Sequence, residues 1–154
     1  MNWDAIGAGG ELLGALVVVA SVLYLGRQIS QTNRIAQTSV AREHQNRYGD
    51  LYQLISTDPS ITSLVTKLRD PEYRAQTDEE EEKVENFCLL IANIWLSTGV
   101  AYAQGLMDES LYRLYIQDVH VKLTRWPAMN HYMKKLATNW PDMKNFEIMK
   151  SLYE

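Results

Sequence analysis

The chain has 154 residues and a mass of 17.7 kDa, which is the size of one domain and argues against two independent ones. Apolar residues make up 46% and charged residues 22%, so the composition excludes a disordered or collagen-like chain and predicts a packed core. The net charge of −4 argues against a nucleic-acid-binding protein, because contact with phosphates needs clustered lysine and arginine. A single cysteine, Cys88, excludes an internal disulfide.

The most apolar segment, residues 5–26, is long enough to cross a membrane. Its only charged residue is Glu11, and a helix of this length rises roughly 33 Å, against about 30 Å of hydrocarbon. A buried soluble helix and a signal peptide are the alternatives. A signal peptide needs a basic start, and residues 1–4 contain no basic side chain. We therefore predict one transmembrane helix over residues 5–26.

The flanks of this segment predict its orientation. Trp3 and Tyr24 lie near its two ends, where aromatic rings favour the headgroup region, and Arg27 follows. Four arginines occur between residues 27 and 54 and none precedes the segment. Because basic residues are retained on the cytoplasmic side, we predict that residues 1–4 form a short external N-terminus and that residues 27–154 are cytoplasmic.

Small and polar residues recur along the segment at alternating spacings of three and four. This repeat predicts a helix-packing seam, because in lipid helices associate where small side chains let their backbones approach. Gly10 and Gly14 also form a G-x-x-x-G motif. We predict self-association through this seam, although glycine is common in membrane helices for other reasons. Its members are Gly7, Gly10, Gly14, Val17 and Ser21, and the same spacing continues to Tyr24 and Gln28.

Glu11 is an ionisable residue inside the predicted span, which makes it a functional candidate by default. Three interpretations remain open. A ring of such carboxylates could line an oligomeric pore, protonated carboxyls could hold helices together, or Glu11 could snorkel outward or contact a helix of another membrane protein.

The rest of the chain predicts helices and no strands. Residues 27–55 lack proline and turn clusters, so we expect a helical stalk that continues the membrane helix. Residues 56–60 predict a turn, and residues 60–70 a short helix that ends before Pro71. Residues 56–154 would then form a cytoplasmic helical bundle.

Local signals place the later helix ends. Thr77, followed by acidic residues, predicts a helix start, Gly105 a helix end and Asp108 the next cap. Pro127 and Pro141 each follow a tryptophan and predict the first turns of two last helices.

Residues 86–107 carry no charge and are the one rival for a second span. Their polar residues and the absence of a basic flank favour a buried bundle helix, in which Cys88 packs as a small apolar side chain.

Motifs for catalysis and metal binding are not found. The glycines at 7, 9 and 10 do not follow a strand and do not match a dinucleotide-binding loop. The histidines, His44, His120 and His131, are too scattered to predict a metal site. We therefore expect no enzyme activity, no cofactor and no metal. The tryptophans and tyrosines are interpreted as core residues, with an aromatic-lined pocket as the alternative.

Several segments resemble a family of uncharacterised small bacterial membrane proteins. The similarity is carried by residues 2–8 (NWDAIGA), residues 10–15 (GELLGA) and residues 104–109 (QGLMDE), with a further likeness at Trp140 and Pro141. The resemblance implies an N-terminal span that includes Glu11, a cytoplasmic helical domain and a place in the bacterial inner membrane. It brings no activity with it.

The sequence as a whole predicts an all-α fold with one N-terminal transmembrane helix that continues into a cytoplasmic bundle. The favoured function is a non-enzymatic scaffold or accessory subunit, which contacts membrane lipid, self-associates and binds another protein or an apolar ligand through its bundle. The alternative is a subunit of a small homo-oligomeric ion channel with Glu11 near the pore.

Overall fold

The computed structural model describes residues 3–152, apart from the side chains of residues 3–8, 12 and 151. Within this range the chain is all-α, as predicted, with five α-helices, two short 3₁₀ helices and no β-strand. The α-helices are α1 (Trp3–Thr57), α2 (Pro59–Lys67), α3 (Asp78–Ala103), α4 (Glu109–Arg125) and α5 (Met129–Asn139). The 3₁₀ helices are Pro141–Asn145 and Glu147–Leu152.

The first helix is uninterrupted, so the prediction that residues 27–55 continue the N-terminal helix is confirmed. The contacts of the chain define two compact units, Met1–Thr38 and Ser39–Glu154. Leu51 of α1 is buried in the second unit, and Val40, Tyr48 and Ile55 pack against its core. The C-terminal third of α1 is therefore one of the helices of the bundle.

Side-chain caps begin three of the helices. Asp58 starts α2 by accepting a hydrogen bond from Ser60 N at 2.8 Å. Thr77 Oγ1 accepts one from Glu80 N at 3.2 Å, and Asp108 accepts one from Leu111 N at 2.9 Å. The predicted starts at Thr77 and Asp108 are confirmed, because a cap depends only on residues within one turn.

Gly105 has a φ of +70°, the left-handed conformation that glycine adopts at little cost beyond a helix end. The two proline-based predictions differ from the structure. The helix predicted at Pro127 begins at Met129, because residues 126–128 form a turn in which Ala128 N donates to Leu68 O at 3.2 Å. The last predicted helix is two 3₁₀ helices.

The bundle is organised around α3, which packs against α4, α5 and the second 3₁₀ helix. Val84, Cys88, Ile91 and Trp95 of α3 are almost completely buried. The second 3₁₀ helix adds Ile148, Met149 and Leu152 to the same core. Residues 86–103 therefore belong to the helix at the centre of the bundle, and Cys88 packs inside it as predicted.

Among the described residues, two helices are long and apolar enough, by length and composition alone, to cross a membrane. In α1 the most apolar 18-residue window has a mean hydropathy of 1.8 and no buried residue. In α3 the corresponding window has a mean hydropathy of 1.4 and is 56% buried by the rest of the chain. More than half of the α3 window is therefore buried within the chain, whereas no described side chain of the α1 window is.

Candidate functional sites

Residues 13–25 of α1 present an apolar surface on all sides of the helix. Every described side chain between residues 13 and 35 is exposed. A helix that is apolar all round must be buried in protein or in lipid, because water solvates its side chains poorly. The exposed aliphatic side chains of this stretch are Leu13, Leu16, Val17, Val18, Val19, Val22, Leu23, Leu25, Ile29 and Ile35.

The predicted packing seam lies on this exposed helix. A Cβ atom built at Gly10 or at Gly14 would have no neighbour within 4 Å, so packing within this chain does not require glycine there. Ser21 Oγ donates to Val17 O at 2.7 Å, which satisfies the hydroxyl inside its own helix. Gly7 of the seam and the predicted anchor Trp3 lie in the helix, but their side-chain positions are outside the described residues.

Glu11, Tyr24 and Arg27 are exposed on the same helix. Among the described side chains none forms an ion pair with Glu11 or Arg27. In water such exposure would be unremarkable, but in hydrocarbon the Glu11 carboxyl would require a proton or a partner from another helix.

The bundle contains a buried cation that joins α1 to α4, the Lys122 cluster (Tyr48, Tyr52, Asp118 and Lys122). Lys122 is 3% exposed and its ammonium group forms an ion pair with Asp118 one turn earlier in α4. The same ammonium lies 4.8 Å from the ring centroid of Tyr48 and 5.5 Å from that of Tyr52. Aromatic faces stabilise a desolvated cation, so the rings and the carboxylate together replace the water that Lys122 has lost.

A second polar contact lies about one turn before Tyr48 along α1. The His44 ring is 4% exposed, and its Nδ1 lies 3.5 Å from the hydroxyl oxygen of Thr98 on α3. Burial, reinforced by the charge of Arg47, lowers the pKa of His44, so this imidazole is neutral at pH 7. Tyr115 joins the two sites, since its ring lies 5.3 Å from Tyr48 and 5.8 Å from His44.

The bundle also carries an open apolar cavity of about 610 Å³ between α3 and the first 3₁₀ helix, which we call the α3 groove. Ala92 and Met143 form its buried floor, and Leu89, Leu96 and Phe146 are half-buried beside them. Exposed residues form its rim: Asn93, Asn139, Trp140, Pro141 and Asp142. An apolar floor with a few polar groups at the edge is the usual composition of a small-molecule site.

Within the part of the chain that the structure describes, Cys88 is a poorly reactive thiol and no metal-ligand cluster is formed. Burial raises the pKa of the Cys88 thiol to about 12, so the thiolate is scarce at neutral pH. Within residues 3–152 no three histidine, cysteine or carboxylate side chains are placed to hold a metal ion. His131 stacks edge-on against Tyr132 at 5.1 Å, on a different helix from His44 and His120.

Neither the Lys122 cluster nor the α3 groove was predicted from the sequence. From the sequence alone, Lys122, next to Leu123 in an amphipathic helix, is expected to be exposed to solvent. Its spacing of four from Asp118 is the signal that indicates an ion pair. The α3 groove depends on contacts between segments far apart in the chain. The one sequence-based hypothesis related to this groove was the alternative that some tryptophans and tyrosines line a pocket.

Comparison with protein-family models, with curated proteins and with solved structures found no match to this chain.

Proposed function

We propose that this chain is a single-pass protein of the bacterial inner membrane, anchored by residues 5–26, with its N-terminus outside and its bundle in the cytoplasm. The observation that carries the proposal is the contrast along one continuous helix. Residues 13–25 of α1 are exposed and rich in leucine and valine, whereas Leu51 and His44 of the same helix are buried in the bundle. The apolar surface of the N-terminal stretch is best solvated by lipid, and the outer surface of the second unit is best solvated by water.

The function proposed for this architecture is a non-enzymatic scaffold or accessory subunit. The anchor would self-associate through the seam of Gly10 and Gly14, which packing within the chain does not explain. The bundle would bind an apolar ligand or a segment of another membrane protein, for which the α3 groove offers an apolar floor.

Cysteine labelling in intact cells tests the anchor and its orientation. In a Cys88→Ala background, we expect a membrane-impermeant maleimide to label Asn2→Cys in intact cells. Glu72→Cys, on an exposed turn of the bundle, should be labelled only after lysis. Val18→Cys, in the centre of the span, should be protected in both. Rapid labelling of Val18→Cys would overturn the span, and labelling of Glu72→Cys in intact cells would reverse the orientation.

The second candidate is a subunit of a small homo-oligomeric channel, and Glu11 is the residue that favours it. Glu11 adjoins Gly10 of the seam, so helices that associate there would bring several carboxyl groups together. Under this proposal Glu11→Gln changes the conductance of the protein in planar bilayers. A scaffold without a pore would show no protein-dependent conductance before or after the substitution.

A further inference from the structure

The α3 groove has the dimensions of a site for a small molecule rather than for a protein surface. Its volume of about 610 Å³ lies inside the range of roughly 300–1,000 Å³ that small-molecule sites occupy. One wall is a single face of α3, with Leu89, Ala92, Asn93 and Leu96 at helical spacings of three and four. The other wall is the first 3₁₀ helix and Phe146, which follows it.

The floor of the groove selects for a hydrocarbon. Leu89, Leu96 and Phe146 are each half-buried, so a ligand that covers them removes apolar surface from water without any change in the fold. No charged side chain contributes to this floor. The body of the ligand is therefore apolar.

The rim of the groove selects the charge of the head group. Asp142 is the one ionisable residue among the residues that line the cavity, and no lysine, arginine or histidine accompanies it there. An anionic head group would meet only repulsion from this carboxylate. Trp140, which is 43% exposed, lies two residues before Asp142 and lines the same cavity. A carboxylate and an indole ring on one rim are groups that bind an ammonium ion.

From these observations we propose that the α3 groove binds a cationic amphiphile, a molecule with a hydrocarbon body and one ammonium head group. The hydrocarbon covers Leu89, Leu96 and Phe146, while Asp142 and Trp140 hold the cation at the rim. This assignment rests on the proposed function of the bundle as a ligand-binding unit, and it adds the chemical class of the ligand and the residues that select it.

The test uses the full-length protein in nanodiscs of zwitterionic lipid, with decyltrimethylammonium as the probe and decyl sulfate as its anionic counterpart. Methyl NMR shifts of Leu89, Ala92, Leu96 and Met143 report occupancy of the groove directly, and probe in the lipid is measured with empty nanodiscs. We expect saturable shifts with the cationic probe and an affinity at least about tenfold higher than for decyl sulfate, as an ion pair and a cation–π contact together would provide.

Substitutions then assign the selectivity to the rim. Asp142→Asn should weaken binding of the cationic probe about two- to fivefold and reduce the difference in affinity between the two probes. Asp50→Asn, an exposed acid on α1 outside the groove, is the matched control and should leave both affinities unchanged.

Three results would overturn the assignment. Equal affinity for the two probes would remove the cation selectivity, and an unchanged affinity in Asp142→Asn would remove the role of the rim. Shifts of the groove methyls that follow protein concentration without any probe would make a second copy of the chain the occupant. None of these results affects cysteine labelling of the anchor, so failure of the ligand assignment and failure of the membrane proposal are separate outcomes.

Discussion

At Gly99, the C-terminal segment packs so closely on α3 that an added Cβ atom would be crowded. A Cβ atom at this position would lie 3.0 Å from Phe146 Cδ1 and 3.2 Å from Ile148 Cγ2. Ile148 is fully buried and cannot move aside without disturbing the core. We expect Gly99→Ala to destabilise the protein by about 1–3 kcal/mol, the usual cost of overpacking, measured by denaturant unfolding of the full chain in detergent.

Gly49 provides the matched control for this substitution. It also lies inside an α-helix, but a Cβ atom there would have no neighbour within 4 Å. Gly49→Ala should therefore stabilise the protein by about 0.5–1 kcal/mol through helix propensity alone. If the two alanine variants changed stability by the same amount and sign, the close approach at Gly99 would be without energetic consequence.

The Lys122 cluster predicts an asymmetry between its two charges. Lys122 is 3% exposed, whereas the side chain of Asp118 is 27% exposed. Asp118→Asn leaves an ammonium with aromatic rings and no counter-charge, for which we expect a loss of about 2–4 kcal/mol. Lys122→Met should cost at least about 1 kcal/mol less, because water reaches the remaining carboxylate and methionine fills much of the space.

A double-mutant cycle over the same pair measures the coupling itself. In Asp118→Asn combined with Lys122→Met, the loss of stability should be clearly smaller than the sum of the two single losses. Additive losses, or a greater loss in Lys122→Met, would contradict a buried ammonium that depends on Asp118. Exposed pairs such as Glu109 with Arg113 offer a comparison, and their coupling should be under about 1 kcal/mol.

These residues show where sequence reasoning stops at the residue scale. The spacing of four between Asp118 and Lys122 is compatible with an ion pair within one helix turn, although it was not singled out from the sequence. It does not predict that Tyr48 and Tyr52, some 70 residues earlier, cover the ammonium. Burial of Lys122 follows from how α1 packs on α4, and no local pattern encodes that arrangement.

At the element scale, the start of α3 combines a cap with a link to α2. Glu80 accepts a hydrogen bond from Gln76 N at 2.9 Å and forms an ion pair with Lys67 of α2 at 2.5 Å. The hydrogen bond from Gln76 and the Lys67 ammonium lower the pKa of Glu80 to about 2, from an ordinary value of 4.5. Its charged form is therefore favoured by folding, and this contribution is present above pH 4.5 and lost as the pH falls towards 2.

This lowered pKa predicts a pH-dependent loss of stability. Glu80→Gln should be less stable than the wild type at pH 7, and the difference should shrink as the pH falls from about 5 to 2. Thermal unfolding at a series of pH values measures it. Glu79→Gln is the control, since Glu79 lies in the same helix turn without either contact and should leave the pH profile of the wild type in place. A constant difference between wild type and Glu80→Gln at every pH would contradict the assignment.

Helix ends were predictable where they depend only on residues within one helix turn. Thr77, Asp108 and Gly105 act within their own turns, and the structure places each where the sequence indicated. The two 3₁₀ helices were not predictable, because their shape depends on tertiary contacts: the second packs on α3, and the first packs on the second and on α5. Their position also creates the α3 groove, which explains why the sequence did not predict the groove.

At the scale of the whole molecule, two units with different surfaces share one helix. The composition of residues 5–26 predicted an apolar helix, and the exposure of residues 13–35 agrees with that pattern. The residue of α1 at which the bundle begins was harder to predict from the sequence. Burial begins within α1 near residue 40, at residues that are widely spaced and partly polar, such as His44.

The association of the anchor is the property of the whole molecule that most needs a measurement. The seam leaves Gly10 and Gly14 open along one side of α1, and helices in lipid pack closely at such surfaces. We expect the wild-type chain in nanodiscs, with the mass of lipid subtracted, to form one closed oligomer. Gly14→Leu should shift it towards the 17.7 kDa monomer, because a leucine at the seam keeps the backbones apart.

A substitution at Gly9 is the control that distinguishes loss of the seam from a general effect of replacing a glycine in the span. Gly9 lies between Gly7 and Gly10 in sequence but off the seam, roughly 140° around the helix from Gly14, and it has the same open surroundings. Gly9→Leu should therefore keep the mass of the wild type.

If the wild type were a monomer, both self-association through the seam and a pore would be excluded, and the span would be an anchor that pairs with another protein. An oligomer of four or more subunits would leave the pore open as a function and make the conductance of Glu11→Gln the experiment that decides between scaffold and channel.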